Sequence, residues 1–214
     1  MQNVVDQVIR NAFRDLIEME QETGNIKLIY PQLRNGNKRQ SEQEFKQLFI
    51  DHFCRTAKGL KYSVETPTQK RYSSENGRLV EKEDGESGRI DMCIYQRIED
   101  KWQRLHMLEL KAHNVKEEKV RNDLTKLIKD AEIDKYCKES YFIQILYSAD
   151  KGTLNSLQKK YKSYIEGMDA LLPPPGKEII IYLLFAHGVD KGKEPCYCRF
   201  NLKDGLNNWE FQKI

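Results

Sequence analysis

Apolar residues recur along the chain in two rhythms. Val4, Val5, Val8, Ile9, Ala12, Phe13, Leu16 and Ile17 return every three or four positions, which predicts a helix over residues 3–22 with one buried face. Phe45, Leu48, Phe49, His52 and Phe53 keep the same spacing. Ser41, followed three positions later by Glu44, marks the start of that second helix as a capping box, and Gly59 marks its end. Val120, Leu124, Leu127, Ile128 and Ala131 predict a third helix over 116–138, with Lys116, Lys119, Arg121, Lys126 and Lys129 on its outer face. A fourth, over 154–168, carries Lys159, Lys160 and Lys162.

Between the helices lie short runs of β-formers at 26–30, 60–66, 89–96, 104–112, 140–148 and 178–186. The run 140–148 is apolar on both faces, as in a strand with a parallel partner inside a helix-covered sheet; Gln144 in its middle needs a polar partner there. Segments 89–96 and 104–112 read as a hairpin around a polar turn at 97–103, and 196–202 with 209–212 as a closing hairpin around Asp204 and Gly205. The order of elements predicts an α/β (α+β) chain, a mixed central β-sheet flanked by helices on both faces.

Three segments follow from this pattern. Residues 1–40 form an N-terminal helix and a basic loop, 41–170 a core, and 171–214 a C-terminal β extension packed on that core in the same domain. Within the core, 67–88 is a polar insertion, and Asn76-Gly77 allows an exposed hairpin of 71–73 against 79–81.

Composition narrows the picture. The 214 residues carry 36 Lys and Arg against 33 Asp and Glu, a net charge of +3, too mild to indicate a nucleic-acid binder by itself and no obstacle to a local basic groove. Cys54, Cys93 and Cys137 are isolated, and the total of five argues against a disulfide framework. Cys196 and Cys198 form a close pair without the further ligands a zinc site needs. No apolar run reaches the roughly 18 residues of a membrane span, and the first helix is amphipathic with no signal-peptide core, so the reading expects a cytoplasmic protein with no membrane contact. No glycine-rich phosphate loop follows any strand, which disfavours a nucleotide enzyme.

The hairpin holds charges where a core would not want them. Asp91 stands between Ile90 and Met92; Glu109 and Lys111 interrupt Leu105, Met107, Leu108 and Leu110. Residues two apart on a strand share a face, so Glu109 and Lys111 project together and Leu110 projects away. If Asp91 joins them, two carboxylates meet at one place and are best held by a cation. Carboxylate and carbonyl oxygens suit Mg²⁺, with Mn²⁺ as a substitute. His52, on an apolar stripe, reads as a hydrogen-bonded core histidine.

Asp91 followed by Glu109-Leu110-Lys111 on the next strand resembles the signature of the PD-(D/E)xK nuclease superfamily, the restriction-endonuclease-like fold, with Ile90 where the signature has proline. The resemblance implies a Mg²⁺-dependent nuclease in which Asp91 and Glu109 hold the metal, the Leu110 carbonyl adds a ligand, and Lys111 positions the attacking water. It also implies an acid near the start of the first core helix. Glu42 and Glu44 compete for that place, and Glu42, with Phe45 and Phe49 three and seven positions on, is preferred. The implied partner is nucleic acid, most naturally DNA, with a homodimer or a partner subunit to cut two strands. The rival reading is a non-catalytic subunit of the same fold that binds nucleic acid or a partner protein.

Overall fold

The structure, a computed structural model, describes residues 4–166, 172–189, 194–204 and 209–214. In chain order the elements are α1 (Val4–Glu20), α2 (Glu42–Thr56), β1 (Leu60–Glu75), β2 (Arg78–Glu81), β3 (Glu86–Ile98), β4 (Lys101–Ala112), α3 (Glu117–Ile133), β5 (Glu139–Leu146), α4 (Lys151–Glu166), β6 (Glu178–Phe185), β7 (Cys196–Asn201) and β8 (Phe211–Lys213). The strands form one sheet in the order β2-β1-β3-β4-β5-β6-β7-β8. β4, β5 and β6 run parallel at its centre, and the flanking pairs are antiparallel. The crossovers between the parallel strands are α3 and α4, as a parallel ladder requires.

Each face of the sheet has its own core. On one, Val5, Val8, Ile9, Ala12, Phe13 and Leu16 of α1 and Phe45, Leu48, Phe49 and Phe53 of α2 pack over Met92, Leu108, Leu110, Tyr141, Ile143 and Tyr182. Phe13 is fully buried there, a position where truncation to alanine costs about 3–5 kcal/mol. On the other, Val120, Leu124, Leu127 and Ile128 of α3 and Leu157, Tyr161 and Tyr164 of α4 pack over Cys93, Met107, Phe142, Ile181 and Leu183. The mixed sheet with helices on both faces is therefore as the sequence predicts.

The Ser41 capping box is formed: the Ser41 hydroxyl accepts from Gln43 N–H and Glu44 accepts from the Ser41 N–H. His52 meets Asp15 of α1 at 2.8 Å, so it ties the two helices together. The hairpin inside the insertion forms around Asn76-Gly77 as expected, but 79–81 pairs with 72–74 and not with 71–73, because a two-residue turn sets Glu75 opposite Arg78.

Three local expectations fail. Residues 26–30 form no strand, because Ile26 and Leu28 rest on the helical layer and no neighbouring strand is there to pair with; nearby only an isolated bridge joins Gln32 and Lys38. The polar turn at 97–103 shrinks to Glu99 and Asp100, both at positive φ (49° and 61°), so the strands continue through Arg97, Trp102 and Gln103. The insertion is not a loop leaving the sheet, since β1 runs on through it and pairs again with β3 at Arg71 and Ser87 after a register shift beyond Pro67.

Candidate active site

Pairing between β3 and β4 proceeds from Ile98 and Lys101 as far as Met92 and Leu108, where the recorded ladder stops. Beyond that pair the Leu110 N–H takes a side-chain acceptor from the facing strand: Asp91 Oδ2, at 2.8 Å. The phase of β3 changes at the same point. Met92 packs with the α1–α2 core and Ile90, two residues away, with the α3–α4 core, although neighbours at that spacing share a face in a regular strand. On β1, Glu65 lies between the pairs Val64–Met92 and Thr66–Ile90 and has φ of +49°, a left-handed conformation unusual for a non-glycine residue and a common mark of strain near function. Lys46 of α2 holds the Glu65 carboxylate at 3.1 Å.

On β4, Glu109 and Lys111 face α3 while Leu110 enters the opposite core, as the strand period dictates. Glu109 is 1% exposed. Its Oε1 lies 2.5 Å from Lys126 Nζ, and this ammonium is the partner of the buried oxygen. Lys126 also lies 2.8 Å from Asp123 Oδ1 and donates to the Arg89 carbonyl at 2.8 Å. Asp123 Oδ2 meets Lys111 Nζ at 2.6 Å, and Lys111 donates to the Leu110 carbonyl at 3.0 Å. Four charges from β4 and α3 thus form a continuous chain of ion pairs, and Asp91 on β3 is joined to it through the Leu110 N–H.

The electrostatics follow from burial. Burial drives the Glu109 carboxyl well above the usual carboxylate range, helped by the like charges of Asp123 and Asp91, while Lys126 and Lys111 oppose the shift. For Lys111 and Lys126 burial acts to lower the ammonium pKa, but the facing carboxylates outweigh it and both are raised. Asp91 acts on Glu109 and on Lys111, so the three signature residues share one field.

The structure therefore brings Asp91, Glu109 and Lys111 together and puts the Leu110 carbonyl on the Lys111 side. It does not bring in Glu42. Glu42 is half-buried beside Tyr147, and no hydrogen bond or ion pair of the cluster reaches it among the described residues. The order of burial within α2 is also the reverse of the expected one, since the buried acid is Glu44, drawn in by the cap.

Two members of the cluster were not singled out from the sequence. Its position outside the apolar stripe of α3 predicts a solvent-facing Lys126, yet it is 9% exposed, because its arm passes Gly88 of β3 and delivers the ammonium to the Arg89 carbonyl and to Glu109 on the sheet. Asp123 did leave a signal, lying three residues after Val120 and four before Leu127 on the buried stripe. Gln144, by contrast, is fully engaged in the core: it donates to the His113 carbonyl and accepts from Tyr161.

A hard divalent cation takes carboxylate and carbonyl oxygens. No three His, Cys, Asp or Glu side chains form a ready-made metal cage among the described residues. The donor chemistry nonetheless fits such an ion, since Glu109 Oε1 and Asp123 Oδ2 are buried carboxylate oxygens held by lysine ammonium groups, a cationic partner that a metal ion can replace. No described helix is long and apolar enough to cross a membrane. No family model, curated protein or solved structure matches the chain.

Proposed function

We propose that the chain is a Mg²⁺-dependent nuclease of the PD-(D/E)xK type that hydrolyses phosphodiester bonds of DNA. The observation that carries this reading is the parting of β3 and β4 at Met92–Leu108, which sets Asp91, Glu109 and Lys111 in one electrostatic unit inside otherwise apolar strands. Charges buried in this way cost stability, and strongly perturbed buried groups concentrate at functional sites.

In this reading Asp91 and Glu109 hold the ion and the Leu110 carbonyl completes its protein ligands. Mg²⁺, or Mn²⁺ in its place, would polarise the scissile phosphate and lower the pKa of a water. Lys111 orients the nucleophilic water and balances negative charge that grows on the phosphate. Asp123 holds the Lys111 ammonium at 2.6 Å and so fixes its direction. Lys160 reaches from α4 to Asn114 and the Val115 carbonyl just past β4, and with Lys159 gives the neighbouring cleft a basic wall suited to a phosphate backbone. A homodimer would supply a second active site for the second strand, and a cytoplasmic location suits five cysteines that form no disulfide among the described residues.

A second reading has one observation in its favour. Lys126 and Asp123 close over Glu109, as they would in a non-catalytic subunit that keeps the fold to bind nucleic acid or a protein. The deciding experiment incubates plasmid, linear duplex and single-stranded DNA with Mg²⁺, Mn²⁺ or EDTA, wild type beside Lys111→Ala. Metal-dependent cutting that disappears with the lysine supports the nuclease. Wild type that neither cuts nor binds the ion supports the non-catalytic subunit, and ion binding without cutting points to a nuclease that waits for a partner or an activating signal.

A further inference from the structure

Lys126 is the basic member of the cluster that comes from a helix. Its Nζ is surrounded by oxygens from three separate segments: Glu109 Oε1 on β4 at 2.5 Å, Asp123 Oδ1 on α3 at 2.8 Å and the Arg89 carbonyl on β3 at 2.8 Å. Two anionic oxygens and a carbonyl are the donors a hard divalent ion selects. The arm reaches this place over Gly88, where an added Cβ would lie 3.1 Å from Lys126 Cδ, so the missing side chain makes its path. Glu109 cannot serve Lys126 and a metal ion equally, because the contact to Lys126 already engages its buried Oε1.

We propose that Lys126 is a built-in competitor for the metal ion, an internal cation that neutralises Glu109 until Mg²⁺ takes its place and thereby sets the ion affinity of the site. This inference rests on the nuclease reading, since it takes Glu109 as a metal carboxylate. With every group ionised, three acids (Asp91, Glu109, Asp123) against two ammonium groups (Lys111, Lys126) leave one negative charge in the cluster. A divalent ion turns that into one positive charge while Lys126 stays within it. With a neutral residue at 126 the cluster starts at two negative charges and the ion brings it to zero. Displaced from Glu109, Lys126 keeps Asp123, three residues earlier on the same helix, as its partner.

The test is calorimetric titration of Mn²⁺ and Mg²⁺ into the EDTA-treated full chain, for wild type, Lys126→Gln, Gly88→Ala and Asp91→Asn, with a thermal melt of each. Removing a cation this close is expected to tighten ion binding by about tenfold or more in Lys126→Gln. Gly88→Ala, which changes no charge and crowds the arm, is expected to shift affinity the same way by a smaller factor, and it keeps the test alive if the glutamine variant does not fold. Asp91→Asn should abolish binding. Binding that depends on Asp91 but is unchanged or weaker in the folded Lys126→Gln or Gly88→Ala proteins overturns the competitor and leaves the nuclease reading standing. Absence of ion binding in wild type, or binding indifferent to Asp91→Asn, overturns the nuclease reading and the competitor with it.

Discussion

Asp91 has two roles in this structure, and two substitutions separate them. Its carboxylate accepts the Leu110 N–H where β3 and β4 part, and it also contributes charge to the cluster around Glu109. Asp91→Ala removes both. Leu110 is 2% exposed, so its N–H would be left buried without an acceptor, at a cost of about 1–3 kcal/mol. For a chain of this length each kcal/mol lowers Tm by roughly 2–4 °C, which gives a fall of about 2–12 °C. Asp91→Asn keeps an amide oxygen for the Leu110 N–H and loses the charge, so its Tm should stay within about 2 °C of wild type, a change of about 0.5 kcal/mol or less. In the cleavage assay both variants should be inactive. The measurements are differential scanning calorimetry and metal-dependent plasmid relaxation on the same preparations. An asparagine variant that melts as low as the alanine variant would refute the hydrogen-bond role, and one that still cuts would refute the need for a carboxylate.

Two further outcomes concern stability. Asp130 is fully buried, pairs with Arg104 at 2.9 Å and accepts from the Gln69 and Lys70 N–H groups; Asp130→Ala should destabilise by about 3–5 kcal/mol, toward the lower end because Asp134 remains 3.2 Å from Arg104, and a urea midpoint change worth less than about 1 kcal/mol would contradict that. Burial pulls the His106 ring below its ordinary pKa of 6.5, so as pH falls past 6.5 the unfolded chain takes up a proton before the folded one does; stability at pH 5 should be lower than at pH 7.5, His106→Asn should flatten that slope, and an unchanged slope would remove His106 as its source.

Much of the fold was legible in the sequence because its periodicities are strong. The stripe of α1 and the capping box at Ser41 each state a local structure that tertiary contacts leave alone. The strand period also put Glu109 and Lys111 on one face and Leu110 on the other, with no knowledge of what lay opposite. The rest failed where the answer depended on a distant partner. Ile26 and Leu28 have β character, yet strand formation needs a neighbour, and the helical layer is what they meet. Lys126 looked solvated because a helical pattern cannot report that a carbonyl and a carboxylate from two earlier strands will draw its ammonium onto the sheet. Glu42 and Glu44 were ranked by distance along the stripe, whereas the cap hydrogen bonds decided which acid turned inward. Asp123 and Asp130 sat on the α3 stripe in plain view; what the sequence withheld was that the first would meet Lys111 and the second Arg104.

The irregular course of β1 has a bearing on colloidal behaviour. β2 covers only Tyr72 to Glu75, so the stretch from Leu60 to Arg71 has a strand on one side alone among the described residues and offers an open border for intermolecular strand addition. That border is broken along its length: Glu65 turns left-handed, Pro67 has no N–H to give, and the N–H groups of Gln69 and Lys70 are claimed by Asp130. Tyr62 and Val64 remain exposed on a segment too short to template a second chain, so the distortion beside Asp91 also guards the molecule against self-association.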